Sequence, residues 1–145
     1  MADSADVKDV KARQTQSKKS KAATLDMLKG KNRATAKFSI YLPDDQGDGQ
    51  EVELTFRAIG SAEYDRIVSK YPPTAEQRAE GSSFNLDTFA PALIAAVSLE
   101  PPLSLEDAQE IWTSEEWSRG EVVTLWRRAL ELCNRGLDIP FTASV

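Results

Sequence analysis

The chain has 145 residues and a formal net charge of −5, which suits one domain with a modest core. Its single cysteine, Cys133, rules out an internal disulfide, and the complete lack of histidine removes the commonest general base, the commonest zinc ligand and the usual hydrolase triads. No run approaches the ~18 apolar residues of a membrane helix, and the polar, charged N-terminus lacks an apolar signal region, so neither a membrane nor secretion is expected.

The charge is unevenly spread. Residues 1–37 carry ten Lys/Arg against four Asp, a net of +6, whereas the remainder carries eight basic and nineteen acidic residues, a net of −11. A basic arm on an acidic body can meet nucleic acid or an acidic partner. No aromatic is interleaved to stack on bases, so a solvated tail is preferred and nucleic acid is not expected as a partner. Residues 1–22 hold only Val7 and Val10 as larger aliphatics. Such a segment cannot bury enough apolar surface to offset its ordering entropy, and residues 1–34 are expected to be a disordered basic arm. Within it, Thr24 to Gly30 can form one helical turn with Thr24 as cap and Gly30 as stop. Alone that turn is marginal. Docked on a partner, Leu25, Met27 and Leu28 become an anchor.

Two strands come next. Lys37 to Leu42 alternates, with Phe38, Ile40 and Leu42 on one face, and Glu51 to Ile59 alternates again, with Val52, Leu54, Phe56 and Ala58 on one face. The intervening P-D-D-Q-G-D-G-Q is rich in turn residues, which predicts a β-hairpin over 37–59 with a long polar loop. Asp44, Gln46, Asp48 and Gly49 fall at positions one, three, five and six of a calcium-loop pattern. The twelfth position is Thr55 where a bidentate Glu is needed, and the flanks are strands, so a solvated turn is the better reading.

From Ser61 the period becomes helical. Ser61 is a candidate cap, and Tyr64, Ile67, Val68 and Tyr71 form one stripe over 62–71 before Pro72-Pro73 stops the helix. A second helix is predicted over 88–98, started near Thr88 so that Pro91 lies in the first turn, with Phe89, Leu93, Ile94 and Val97 as its stripe. A third spans 104–112, opened by the capping pattern S-L-E-D at Ser104. Both T-S-E-E at Thr113 and S-R-G-E at Ser118 match the capping box, and the second is expected to start the last helix, 119–134. Val122, Leu125, Trp126, Ala129, Leu130 and Cys133 are its expected apolar stripe, with Gly136 as a left-handed stop. The fold class is α+β: a disordered basic tail, then a single domain over 35–145 in which one β-hairpin packs on a bundle of four helices. Two strands alone are rarely stable in water, so one face of the hairpin must pack on those helices.

The chemical search finds no Gly-rich phosphate loop, and the carboxylates, Glu115/Glu116 among them, sit on polar faces or in first turns where helix capping explains them. No catalytic, cofactor-binding or metal-binding residue is assigned, and no cofactor is expected. Trp117 lies between two capping boxes and off the main stripes, which makes it the best candidate for a partner-facing aromatic. Trp112, Arg127, Arg128 and the anchor residues Leu25, Met27 and Leu28 complete the candidate surface.

Three runs carry a resemblance: F-x-P-A-L-I-A-A at Phe89–Ala96, S-L-E-D-A-Q-E-I-W at Ser104–Trp112, and the segment from Trp117 to Asn134 that opens W-S-R-G-E and holds Leu125-Trp126. With the order of parts, they make residues 35–136 resemble the tail assembly chaperones of long-tailed bacteriophages, especially those of actinobacterial hosts. These runs are packing and capping patterns rather than a catalytic signature. The resemblance implies a non-enzymatic protein of the host cytoplasm, absent from the mature virion, that binds the tape measure protein and keeps it soluble while tail tube subunits assemble around it. It also implies the tail tube protein, a frameshifted longer form of the chain and a second copy as further candidate partners. The short ending after Asn134 would suit the unshifted product. A structural adaptor retained in the particle, and a nucleic-acid-binding protein acting through residues 8–37, are the alternatives.

Overall fold

The computed structural model describes residues 20–140, so the expectation of disorder for residues 1–19, and the apolar side chain of Phe141, lie outside the described residues. The chain divides into a body, Arg33–Arg135, and a second unit made by the flanking segments. In the flanking unit, α1 (Leu25–Lys29) is the helical turn expected from Thr24–Gly30. The Thr24 hydroxyl accepts from the Met27 N–H at 3.2 Å, and the Gly30 N–H donates to the Asp26 carbonyl at 2.8 Å.

The body opens with β1 (Thr35–Pro43) and β2 (Gly49–Arg57), paired antiparallel with Phe38 opposite Leu54 and Ile40 opposite Val52. The hairpin is offset from the expected 37–59: β1 is longer at both ends, and Ala58 and Ile59 follow β2 rather than belonging to it. The loop is tight, not long. Asp44 and Asp48 still pair, leaving three residues, and Gly47 adopts the left-handed conformation at φ 82° that such a loop requires. The Asp44 carboxylate accepts from the Gln46 N–H at 2.9 Å, so the turn itself employs the first residue of the calcium-like pattern. Gly47→Ala is expected to cost about 1–2 kcal/mol in urea unfolding, since a Cβ strains the left-handed region.

Five further helices and one strand complete the body. Helix α2 (Ser61–Lys70) is preceded by Gly60 at the cap position without any side-chain cap, so Ser61 is its first helical residue rather than its cap. Thr74 and Gln77 form a reciprocal capping box on the single turn α3 (Ala75–Ala79). Helix α4 (Leu86–Val97) starts before the expected Thr88, because the Asn85 side chain caps it by accepting from the Asp87 N–H at 3.2 Å. Pro91 therefore lies in the helix interior. Its ring costs the bond to the Asp87 carbonyl, and the burial of Phe89, Ala90, Leu93, Ile94 and Val97 on this helix offsets that loss. The Ser98 hydroxyl donates to the Ile94 carbonyl at 2.7 Å as the helix ends, and Ser98–Glu100 form β3, an additional strand that pairs with β2. The sheet is thus three-stranded in the order β1-β2-β3, not a lone hairpin. Three residues are too few to show an alternating pattern, which is why the sequence hides β3.

Helix α5 (Leu105–Trp112) begins at the expected Ser104 box. Its N3 residue is Asp107, whose carboxyl is held below the usual range by its hydrogen bonds with the Ser104 backbone and side chain. Helix α6 (Arg119–Asn134) buries Val122, Leu125, Trp126, Ala129 and Leu132. Leu132 takes the place expected for Leu130, because the residue following Ala129 is rotated ~100° off the buried stripe. Leu130 and Cys133 are half-buried. The helix ends at Arg135 in extended geometry, so Gly136 is not a left-handed stop.

Phe89 sits at the centre of the core, with no exposed surface. Its ring meets Tyr64 at 5.9 Å, Phe84 at 4.5 Å and Trp126 at 5.4 Å between centroids, tying α4 to α2, to the residue before the cap and to α6. Phe56 and Leu54 on β2 close the same cluster from the sheet, and Ala108 and Trp112 join it from α5.

A groove between the edge strand and the last helix

The link between α5 and α6 is fixed by short-range hydrogen bonds. The Thr113 hydroxyl donates to the Gln109 carbonyl at 2.9 Å, so Thr113 closes α5 and does not cap a new helix. The Ser114 hydroxyl accepts from the Glu116 N–H at 2.9 Å and turns the chain. Only the second expected capping box forms. The Ser118 hydroxyl accepts from the Glu121 N–H at 3.2 Å, and the Glu121 carboxylate accepts from the Ser118 N–H at 2.8 Å. Ser118→Ala is expected to cost about 1 kcal/mol, visible as a lower thermal midpoint, because it leaves the Glu121 N–H at the start of α6 without its side-chain cap.

Trp117 immediately precedes this cap. It is half-buried, packed against the core on one side, and lines a groove of ≈ 420 Å³ with the other. Ile40, Tyr41, Leu42 and Pro43 of β1 form one wall; Glu116, Trp117, Glu121, Thr124 and Leu125 form the opposite wall. Leu125 belongs to the core, whereas Tyr41 and Leu42 are 61% and 39% exposed, so apolar surface runs from the interior out to solvent. Gly49 shapes the strand wall. A Cβ there would overlap the Tyr41 ring, so the missing side chain lets that ring lie across the hairpin. The only charged residues in the lining are the two carboxylates, Glu116 and Glu121.

Of the sequence candidates, Trp117 alone lies in this groove. Trp112 is corrected: it is 6% exposed, belongs to the core, and carries the Arg119 guanidinium over its ring at 5.4 Å. Arg127 and Arg128 are exposed on α6 but neither lines the groove. Arg128 lies over the Phe38 ring at 5.4 Å, a surface cation–π contact worth about 0.5–1 kcal/mol, which gives it a packing role. Leu25, Met27 and Leu28 are 60–68% exposed on α1 in the flanking unit. The β1 wall and Glu116, Glu121 and Thr124 were missed by sequence reasoning. The one available signal was Tyr41, a large aromatic on the polar side of an alternating strand.

The remaining chemistry is sparse. The Cys133 thiol is pushed up by burial, against a smaller opposing effect of a backbone hydrogen bond at Ile59, so it stays protonated and poorly nucleophilic. Among the described residues no cluster of three His, Cys, Asp or Glu side chains is placed to hold a metal ion, and no helix is long and apolar enough to cross a membrane. No protein-family model, curated protein or solved structure matches the chain.

Proposed function

We propose that this protein is a non-enzymatic tail assembly chaperone of a long-tailed bacteriophage, one that binds the tape measure protein and keeps it soluble during tail tube assembly. The observation that carries the reading is Trp117. It lies in the W-S-R-G-E run on which the resemblance rests, and it is the candidate residue that lines the apolar groove beside β1. A holdase for a long apolar chain needs an open apolar surface, and it needs a body that repels its own copies; the net charge of −11 beyond residue 37 supplies the second requirement. The protein acts in the host cytoplasm and leaves the tail before the particle is finished.

Co-expression with the tape measure protein of the same phage tests this directly. A soluble complex that survives affinity purification is expected, with the tape measure protein aggregating when expressed alone. Mass spectrometry of finished particles separates the chaperone from a structural adaptor. The chain should be absent, and its recovery in stoichiometric amount would refute the proposal.

A further inference from the structure

The free edge of β1 adds a second feature to the groove. β1 is an outer strand of the sheet. The Asp44 N–H donates to the Asp48 carbonyl at 2.7 Å at the hairpin end, and the Ala58 N–H donates to the Ala34 carbonyl at 2.8 Å at the other. Both pairs continue the β1–β2 register, in which hydrogen-bonded pairs alternate with non-bonded ones. Even-numbered residues of β1 therefore bond to β2. Thr35, Lys37, Ser39 and Tyr41 turn their N–H and C=O groups outward, the ready-made template that an edge strand presents. The same strand supplies Ile40–Pro43 to the groove wall.

The charges restrict what can lie there. Glu116 and Glu121 face the groove without a basic residue in its lining, because Arg119, between them in sequence, is stacked on Trp112. An acidic segment would be repelled, and a purely apolar one would desolvate the carboxylates without compensation.

We infer that the groove takes an extended partner segment that adds to the outward edge of β1 as a fourth strand, presenting both apolar and Lys or Arg side chains toward Trp117, Leu125, Glu116 and Glu121. Main-chain hydrogen bonds to β1 supply affinity, and the side chains entering the groove supply selectivity. This rests on the groove being the chaperone's binding surface and narrows it: the contact is made by a cationic, extended stretch of the partner.

The test uses the full chain and a short synthetic peptide with threonine at every second position and valine and lysine alternating at the positions between, so that one strand face carries both, with titration calorimetry and amide exchange by NMR as readouts. Binding is expected, with slowed exchange at Lys37, Ser39 and Tyr41. The double variant Glu116→Gln/Glu121→Gln should weaken binding by about tenfold or more. Glutamine at position 121 preserves the helix cap, so the fold is retained. Ser39→Pro removes one outward N–H while leaving the bonds to β2 in place, and should weaken binding comparably. The same peptide with glutamate in place of lysine should not bind. The inference is overturned by unchanged affinity in the double glutamine variant, by peptide binding without protection of β1, or by a β1-mediated dimer of this chain that the peptide does not displace. Full retention of the tape measure protein by both variants would overturn it while leaving the chaperone reading intact. Peptide binding as described, without retention of any tape measure protein, would sink the chaperone reading alone.

Discussion

Replacing Phe89 by alanine is expected to destabilise the body by about 3–5 kcal/mol. The ring is fully buried and touches aromatic side chains from three directions, at 4.5–5.9 Å between centroids. Its removal leaves a cavity that these large planar groups cannot collapse to fill, and it strips the edge-to-face contacts that tie α4 to Tyr64 and Trp126. Urea unfolding followed by tryptophan fluorescence reads the loss, because Trp126 is one of the contacting rings. Leu25→Ala serves as the contrasting case. Leu25 is 64% exposed on α1, and its truncation should move the transition by less than about 0.5 kcal/mol. A comparable loss in both variants would mean that the core is not centred on Phe89.

Trp117→Ala is expected to lower the affinity for the tape measure protein by at least about tenfold, which corresponds to ~1.4 kcal/mol, while leaving a folded, soluble body. The residue is half-exposed, so its truncation removes contact surface without emptying the interior. Trp112→Ala should behave in the opposite manner. Trp112 is 6% exposed in the core, and its loss should unfold or strongly destabilise the chain before any binding defect can be measured. Parallel pull-downs and circular dichroism on the two variants therefore separate a binding tryptophan from a packing one. Equal retention of the partner by Trp117→Ala and the parent chain would remove Trp117 from the binding surface.

The residues differ in how openly their sequence context announces their roles. The α+β class, the hairpin and the starts of α5 and α6 were legible, because alternation and reciprocal capping pairs are local signals carried by a few adjacent residues. Pro91 misled the start of α4. A proline favours the first turn, yet the Asn85 cap and the buried face of the helix decide the boundary, and burial is a tertiary effect. Thr113 matches the capping box in type and spacing but closes α5 instead, since its hydroxyl bonds backward to Gln109. The groove was half-legible. Trp117 stood out as an aromatic off the helical stripes, but its opposite wall lies more than seventy residues earlier on β1, and only folding brings the two together. Trp117 was the preferred partner-facing aromatic in the sequence, with Trp112 placed beside it on the candidate surface. What distinguishes them is that one ends a helix facing the core, while the other precedes a cap.

Hydrogen–deuterium exchange on the purified complex with the tape measure protein tests the groove's role most directly. Slowed exchange confined to Ser39–Pro43 and Ser114–Leu125, relative to the free chain, is the expected pattern. Protection limited to the flanking segments, with both walls of the groove exchanging as in the free protein, would contradict it.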